Sequence, residues 1–248
     1  MKVEVLLTPA EFGRLASADR RQRTCVVVDV LRATSSMVTA LVNGARAILP
    51  VGSIEEAVAE RRADEGVLLA GERQGLRIGA AWSDGVEFDL GNSPREFTEA
   101  RVRGRTVVMT TTNGTRALSA SAGAARVLVA AFLNLGAVAA ELRQSAAREV
   151  CVVCSGTGEG AAYEDTLMAG ALVEALGRDA LLEDSSRIAL SVWREAKGRL
   201  AEALREADNA ARLLGNAELA ADVDFCLQQD CCAVVPELWE GREVRLRG

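Results

Sequence analysis

The sequence predicts an α/β protein of three layers, in which a largely parallel sheet lies between helices and leaves room for mixed strands at its edges. Two observations support this fold class. Short runs of Val, Leu and Ile, typical of buried strands, alternate with segments of helical periodicity as far as Leu176. Hydrophobic residues make up 49% of the 248 residues and only 4 are Pro, which is sufficient for a substantial core. This alternation favours a buried parallel sheet with helices on its faces.

The individual elements follow from these apolar runs and the periodic segments between them. Seven strands are predicted, at Val3–Leu7, Cys25–Asp29, Ala47–Val51, Val67–Ala70, Thr106–Thr110, Val127–Ala131 and Val150–Cys154. Six helices are predicted, at Ser35–Asn43, Ile54–Asp64, Pro94–Arg101, Thr115–Ala122, Leu135–Ala146 and Tyr163–Leu176. Gly44 and Gly177 each follow one of these helices directly, at the position where helices commonly end.

The last quarter of the chain has a different pattern. From Ser185 to Leu214, charged residues are interspersed with apolar residues at helical spacing, which indicates a helical cover with one solvated face. We therefore predict one domain over residues 1–248, with residues 185–224 as a helical appendage. Val234–Pro236 and Val244–Leu246 predict a hairpin at the edge of the sheet, because Pro236 has no N–H for a central ladder.

Composition excludes several classes of partner and compartment. The net charge is -6 and no basic stripe is present, so we expect no nucleic-acid partner and no membrane partner. The segment Met1–Thr8 contains an acid and is too short for a secretory signal, and no apolar run could span a bilayer. We expect a cytoplasmic protein. The 6 Cys lie mostly in apolar segments, which favours buried reduced thiols over a disulfide framework or a zinc site.

The residue types available for catalysis are restricted, because the sequence contains 0 His. Carboxylates, hydroxyls, amines, thiols or a bound ion must do the chemistry. Four apolar runs end in clusters of acidic, basic, hydroxyl or Gly residues, at Asp29–Ser36, Gly71–Gly75, Thr110–Arg116 and Cys154–Asp165. Because parallel strands deliver their carboxyl ends to one crevice, we expect these loops to converge. Oxygen ligands suit Mg²⁺, and helix N-termini with Arg suit phosphate.

Each of these loops also has a structural explanation. Thr34 and Ser35 could act only as helix N-caps, and the Asn113-Gly114 pair could form a hairpin turn. The loop Gly156–Ala161 matches the pattern G-x-G-x-x-A after a strand, which is also the dinucleotide-binding fingerprint. In that alternative, Glu174 or Asp179 would bind the ribose.

Considered together, these blocks resemble the 2-phosphosulfolactate phosphatase family. The blocks that carry the resemblance are Val27–Ser35, Gly71–Arg73, Phe88–Pro94, Thr110–Thr115, Cys154–Gly156 with Glu164 and Asp165, and Asp222–Leu227 followed by Val234–Pro236. The resemblance spans nearly the whole chain in order. It implies an α/β fold and a magnesium-dependent hydrolase that converts 2-phospho-3-sulfolactate to sulfolactate and phosphate, on a route to coenzyme M.

The resulting hypothesis assigns roles to the loop residues. Asp29, Arg32 and Asp165 are the predicted catalytic residues, and Asp29, Glu72 and Asp165 the predicted Mg²⁺ ligands, with Asp89 as an alternate. The predicted substrate-binding residues are Thr34, Ser35, Thr112, Asn113, Gly114, Thr115, Ser155 and Gly156.

The expected partner is a small phosphorylated hydroxy acid, in a protein that forms a homo-oligomer. Attack by a water that the metal activates is the preferred route, and a phospho-carboxylate at Asp29 stays open. The rival functions are a dinucleotide- or nucleotide-binding module at residues 156–161 and a structural homo-oligomer that uses the helical segment after Ser185.

Overall fold

The computed structural model describes residues 1–17, 22–145 and 147–247. In this part of the chain the strands are β1 Lys2–Leu6, β2 Arg23–Val28, β3 Ala47–Pro50, β4 Leu68–Arg73, β5 Leu76–Arg77, β6 Thr106–Thr110, β7 Arg126–Ala130, β8 Glu149–Cys154, β9 Leu181–Leu182, β10 Pro236–Trp239 and β11 Glu243–Leu246. The helices are α1 Gly13–Ser17, α2 Ala33–Val42, α3 Ile54–Ala63, α4 Glu99–Val102, α5 Gly114–Ser121, α6 Leu135–Gln144, α7 Tyr163–Leu176, α8 Asp184–Ala196, α9 Leu200–Arg205, α10 Asp208–Leu214 and α11 Ala220–Cys226. Together they confirm the α/β fold class with α/β/α layering.

The described strands form one sheet of eleven, in the order β5-β4-β6-β3-β11-β10-β7-β2-β8-β1-β9. Strands β7, β2, β8, β1 and β9 pair in parallel, and so do β3, β6 and β4. The sheet is therefore largely parallel, as predicted, and β5 pairs antiparallel with β4 at one edge.

The hairpin β10–β11 corrects one prediction, because it lies in the middle of the sheet and not at its edge. It joins the two parallel groups through single antiparallel residue pairs, Glu237 with Leu128 and Val244 with Ile48. Pro236 is accommodated because it is the first residue of its strand, where a missing N–H does not interrupt a continuous ladder. Because β7, β10, β11 and β3 pair antiparallel in succession, the strands of the two parallel groups run in opposite directions. A sheet twist of about 20–25° per strand rotates one group relative to the other.

Alternate side chains of β2 and β8 enter separate hydrophobic clusters on the two faces of the sheet. In β2, Val26 and Val28 pack with α6, α7 and α8, whereas Cys25 and Val27 face α2 and α5. Cys151 and Cys154 fall on opposite faces in the same way, and all six cysteines are free thiols. Such strands are buried on both sides, which explains their nearly continuous apolar sequences.

Most predicted elements agree with the structure to within two residues at each end, and one predicted helix does not. Residues 94–101 form a 3₁₀ turn, Pro94–Glu96, followed by the short helix α4, because Phe97 between them has non-helical backbone angles (φ -85°, ψ 55°). Strand β4 continues to Arg73, three residues beyond its predicted end, and so carries Glu72 within the sheet. Ala146, the predicted end of α6, lies outside the described residues.

The C-terminal helices contribute to both the core and the loops at the strand ends. Trp193 of α8 and Leu204 of α9 belong to the core that contains α6 and α7. Asn209 of α10 and Asp222 of α11 are buried polar residues. Within the described residues, no helix is long and apolar enough to cross a membrane.

Candidate active site

A cavity of about 180 Å³ lies beside the carboxyl ends of β2, β4, β6 and β8. Its walls come from the four predicted loops and from α10, so loops of both parallel groups meet there. The residues that line it are Asp29, Leu31, Arg32, Glu72, Gln74, Gly75, Asn92, Thr111, Thr112, Asn113, Gly156, Thr157, Gly158, Glu164, Asp165, Asn209 and Arg212. We refer to this space as the acidic cavity, because four carboxylates and two guanidinium groups line it.

The structure brings together part of the predicted site. The predicted residues that line the acidic cavity are Asp29, Arg32, Glu72, Thr112, Asn113, Gly156 and Asp165. The predicted residues that do not line it are Thr34, Ser35, Gly114, Thr115 and Ser155, and all of these are buried.

The hydroxyls of Thr34, Ser35 and Thr115 hold the loops in shape, whereas the buried Ser155 hydroxyl makes no hydrogen bond within the described chain. The Thr34 hydroxyl donates to the carbonyl of Asp29 (2.8 Å) and accepts from its amide (3.0 Å), while the Ser35 hydroxyl donates to the carbonyl of Val30 (2.8 Å). Thr115 likewise donates to the carbonyl of Thr111 (3.0 Å). Neither Thr34 nor Ser35 is the N-cap of α2, which is Arg32, so the N-cap interpretation is wrong, and both hydroxyls are used by the backbone of the loop before the helix.

Asp29 follows β2 directly and presents one carboxylate oxygen to the cavity. Its Oδ1 atom accepts a hydrogen bond from the amide of Ala33 at the start of α2 (3.1 Å). Its Oδ2 atom accepts no hydrogen bond from the described part of the chain. Gly114 lies against this atom, since a Cβ at residue 114 would stand 2.8 Å from Oδ2 and 2.6 Å from the Cβ of Ala33. The glycine of the Asn-Gly pair thus makes room for the Asp29 carboxylate.

Asp165 ties two strand-end loops together. It lies in the first turn of α7, where its Oδ1 atom accepts from the amide of Val30 (2.9 Å) and its Oδ2 atom from the amide of Gly156 (3.1 Å). Asn113 adds a second link, because its Nδ2 donates to the carbonyl of Gly156 (2.9 Å). These contacts hold the loops after β2, β6 and β8 in one arrangement.

Glu72 organises the opposite wall of the cavity. Its Oε1 atom accepts from both the amide (3.0 Å) and the hydroxyl (2.9 Å) of Thr112, and its Oε2 atom accepts from the amide of Gly75 (2.7 Å). Both oxygens are therefore already hydrogen-bonded. Like Asp165, Glu72 uses both carboxylate oxygens to accept hydrogen bonds from backbone amides of neighbouring loops.

Burial and mutual repulsion change the proton affinity of these acids. Burial raises the pKa of Asp29 to about 7, and the negative charges of Glu164 and Glu72 add to this rise. Burial also raises the pKa of Asp165 well above its ordinary value, with further contributions from Glu164 and Asp29. The pKa of Glu164 is raised mainly by burial as well. A cavity of this kind favours a cation or protons close to neutral pH.

Arg32 is held by partners of its own. Its Nη1 atom donates to Oδ2 of Asp222 (2.7 Å) and its Nη2 atom to the carbonyl of Gly75 (2.7 Å). Ser93 donates to the other oxygen of Asp222 (2.7 Å), and the half-exposed Arg95 lies 3.4 Å from the same atom. The charge of Arg32 is thus balanced by a buried carboxylate.

The cavity wall also contains residues that were not assigned a role from the sequence, among them Glu164, Asn209 and Arg212. Glu164 precedes Asp165 in the first turn of α7. In the sequence it resembles a surface acid, and only the structure shows that both side chains are buried. Asn209 and Arg212 come from the charged helical segment. A buried Asn between the apolar positions Ala207 and Ala210 was the available signal.

Two charged residues considered from the sequence lie elsewhere. Asp89, the alternate metal ligand, is ion-paired with Arg61 and accepts from the amide of Leu69 (2.7 Å), and it does not line the cavity. Arg116, the last residue of the predicted loop Thr110–Arg116, pairs with the exposed Glu159 and does not line the cavity.

The Gly-rich loop has a geometry that disfavours a dinucleotide site. Its first amide, that of Gly156, is already bonded to Asp165, and Thr157 and Gly160 exchange backbone hydrogen bonds of 3.0 Å. Glu164 and Asp165 occupy the first turn of the helix that a pyrophosphate would approach, and their charges would repel it. Glu174 accepts from the indole of Trp193 (2.8 Å), outside the cavity.

The donor set fits a hard cation that shares its coordination with a ligand. Among the described residues, no group of three or more acids or cysteines is arranged to hold a metal alone. Mg²⁺, however, is usually held by one or two carboxylates together with waters and phosphate oxygens. Asp29 retains its Oδ2 atom without a hydrogen bond from the described chain, and Glu164 accepts from Asn209 through Oε1 (2.6 Å).

The chain is similar to proteins of one family along nearly its whole length. A family model described as 2-phosphosulpholactate phosphatase matches residues 12–241. A protein of Pseudothermotoga lettingae named "Probable 2-phosphosulfolactate phosphatase" is 42% identical over 244 residues, which are 98% of each chain. Proteins of that name are 42% identical in Thermus thermophilus, covering 96% of this chain and 94% of the relative, and 42% identical in Deinococcus radiodurans, covering 88% and 89%.

Proposed function

The chain belongs to the 2-phosphosulfolactate phosphatase family of phosphoric monoester hydrolases, and we propose that it hydrolyses 2-phospho-3-sulfolactate, or a related 2-phosphorylated hydroxy acid, with Mg²⁺ as cofactor. The products would be sulfolactate and phosphate, as in coenzyme M biosynthesis. The observation that carries this proposal is the acidic cavity, where four buried carboxylates and two arginines from distant loops meet. The carboxylates suit a hard cation and the guanidinium groups suit an anion. Hydrolysis of a phosphate ester uses both kinds of group to stabilise charge on the phosphoryl oxygens.

In this proposal, Asp29 and Glu164 would hold Mg²⁺, with Asp165 and Glu72 as the other acids of the site. When bound, the cation would neutralise charge on the carboxylates and on the phosphoryl oxygens. Asp165 and Glu72 hold the loops that carry the other groups, because each bonds to backbone amides of neighbouring segments. Arg32 contributes positive charge from the cavity wall.

Asp29 has the properties of a group that exchanges a proton with an attacking water. In the metal-free protein burial raises its pKa to about 7, and a Mg²⁺ beside it would keep the carboxylate deprotonated and able to accept a proton from water. Its Oδ2 atom accepts no hydrogen bond from the described chain and is free to contact the cation or the attacking water. Direct attack of water is therefore the preferred route. A phospho-carboxylate on Asp29 is the other route, and rapid-quench labelling with radioactive substrate separates the two.

Space for the remainder of the substrate lies next to the acidic cavity. A second cavity of about 530 Å³ shares Arg32, Gly75 and Asn92 with it, and Arg77 and Arg95 also line this larger space. An acid group of the substrate could extend towards these arginines while the phosphoryl group stays beside Asp29. Glu87, Glu96 and Glu218 line the larger cavity as well, and Arg77 and Arg95 are paired with Glu87 and Asp222, so this space offers room for the substrate with mixed charge on its walls.

Phosphate release from a panel of 2-phosphorylated hydroxy acids tests the proposal. We expect release to require Mg²⁺ and to stop on chelation, with 2-phospho-3-sulfolactate among the best substrates. Titration with nicotinamide and flavin nucleotides tests the rival binding module. Tight nucleotide binding without phosphate release would overturn the hydrolase proposal.

We also propose that the protein acts in the cytoplasm as a homo-oligomer. The six free cysteines support a reducing compartment. Leu181 and Ile188, which are 71% and 54% exposed, are large apolar side chains that a second copy could cover. Sedimentation equilibrium of the wild-type protein checks the assembly state, and a monomer at all concentrations would contradict it.

A further inference from the structure

The two arginines of the acidic cavity differ in how their charge is balanced. Arg32 has a buried side chain and forms an ion pair of 2.7 Å with Asp222. Arg212 is exposed at the cavity mouth and forms no direct ion pair with a carboxylate in the described part of the chain, although its charge opposes the rise in the pKa of Glu164. Its hydrogen-bond partner is the neutral Oδ1 atom of Asn209 (3.0 Å). A guanidinium group whose charge is not already paired can bind an anion without first losing a partner.

Asn209 sets the position of Arg212 at the cavity. Its side chain is only 7% exposed, and its Nδ2 atom donates to Oε1 of Glu164 (2.6 Å) and to the hydroxyl of Thr157 (2.7 Å). Its Oδ1 atom is thereby oriented towards Arg212, one turn further along α10. The amide of Asn209 thus connects a cavity carboxylate, the Gly-rich loop and the Arg212 guanidinium.

The two arginines of the cavity approach each other at Gly75. A Cβ at this position would lie 3.9 Å from Nε of Arg212 and 4.0 Å from Nη2 of Arg32. Both guanidinium groups therefore approach the same small segment of backbone. An anion in the cavity would find the unpaired cation, Arg212, on the side that faces solvent.

We propose that Arg212 is the residue that binds the anionic oxygens of the phosphoryl group, and that Arg32 chiefly maintains the cavity wall through Asp222. This inference rests on the proposed function. It assigns recognition of the phosphoryl group to α10 of the C-terminal helical segment. The described strand-end loops alone do not supply an arginine without an ion-pair partner at the cavity. Arg212 acts as a substrate-binding residue, and Asn209 acts as a positioning residue through it.

Kinetics of Arg212→Gln, Arg212→Lys and a matched control test this assignment. The control is Arg205→Gln, an exposed arginine of α9 that pairs with Asp224 (3.0 Å) and does not line the cavity. For Arg212→Gln we expect KM, and the inhibition constant of inorganic phosphate, to rise roughly 10- to 100-fold while the melting temperature stays unchanged. Arg212→Lys should recover part of the loss, since it restores the charge without the fork of donors. Arg205→Gln should behave as wild type.

Phosphate binding, measured by calorimetry in the presence of Mg²⁺, gives a readout that does not depend on turnover. Wild-type protein should bind inorganic phosphate more tightly than Arg212→Gln does. Equal binding by the two proteins, or unchanged KM and phosphate inhibition in the variant, would overturn the role of Arg212. If the wild type binds phosphate through Arg212 but releases none from any ester, the hydrolase proposal fails while this inference stands.

Discussion

The Nη1 atom of Arg32 lies 2.7 Å from Oδ2 of Asp222, and both side chains are buried although 190 residues separate them in sequence. This pair fixes α11 against the loop that carries Asp29. Ser93 also donates to the Asp222 carboxylate. The loop after β2, the segment around Ser93 and α11 therefore meet at this one carboxylate. Removal of one partner leaves the other charge buried and uncompensated, which is far more costly than the net value of the pair.

We therefore predict that Asp222→Ala lowers the free energy of unfolding by about 3–5 kcal/mol and reduces phosphatase activity. Urea unfolding and phosphate release measure the two effects. Asp224→Ala is the matched control, because Asp224 is 67% exposed and pairs with Arg205 on the surface. Its expected cost is at most about 1 kcal/mol. Equal losses of stability in the two variants would contradict the structural role of the buried pair.

Substitution of Asp29 by Asn tests its proposed catalytic role. The amide keeps an oxygen that can accept from Ala33, so we expect the variant to fold, but it loses the charge that a metal or a water proton requires. Turnover should fall roughly 10²- to 10⁴-fold at saturating Mg²⁺. Asp89→Asn, which changes an acid outside the cavity, should retain activity. Full activity of Asp29→Asn would end the assignment.

The parts of the site that the sequence could predict are those that follow buried strands. Asp29 and Glu72 stand at or near the ends of apolar runs, and both line the cavity. Arg212 could not be found in this way, because on its helix it resembles every other exposed arginine. Its position depends on how α10 packs against the loops, and this packing has no local sequence signature.

Two other differences have equally physical causes. Thr34 and Ser35 have the right chemistry for a ligand, but a hydroxyl next to free amides and carbonyls at a helix start is as readily used by the backbone. Pro236 indicated a hairpin at the edge of the sheet, and this interpretation is wrong because the hairpin lies in its middle. The proline could not show that the hairpin bridges two parallel groups through single residue pairs, where an interrupted ladder is tolerated.

The raised pKa of Asp29 predicts how the stability of the metal-free protein depends on pH. Burial raises this pKa from 3.8 to about 7, so between these values the folded state retains a proton that the unfolded state has released. The free energy of unfolding must then fall as the pH rises through this window, by at most about 4 kcal/mol from this group, and level off above it. Thermal unfolding of wild type and Asp29→Asn measures the slope. Identical slopes in the two proteins would contradict the prediction.

Magnesium should reverse this loss, because a cation stabilises the deprotonated acids. We expect Mg²⁺ to raise the melting temperature more at about pH 8 than at about pH 5, where protons compete for the same oxygens. Chelation should remove the gain. In Asp29→Asn the gain should be smaller at both pH values. A shift that is independent of pH, or equal in the variant, would indicate that Mg²⁺ binds elsewhere.

Gly114 is expected to control the position of the Asp29 carboxylate. A methyl group at residue 114 would lie 2.8 Å from Oδ2 of Asp29 and 2.6 Å from the Cβ of Ala33, and neither distance is tolerated without movement. Ala is otherwise the better helix former at the start of α5, so any loss comes from this contact. We predict that Gly114→Ala lowers the free energy of unfolding by roughly 1–3 kcal/mol and greatly reduces turnover. Gly198→Ala, at a glycine with no atom within 4 Å of its added Cβ, should change neither. Steady-state kinetics and thermal unfolding of both variants measure these effects. Wild-type turnover in Gly114→Ala would contradict the prediction, because it would show that displacing the Asp29 carboxylate has no effect on catalysis.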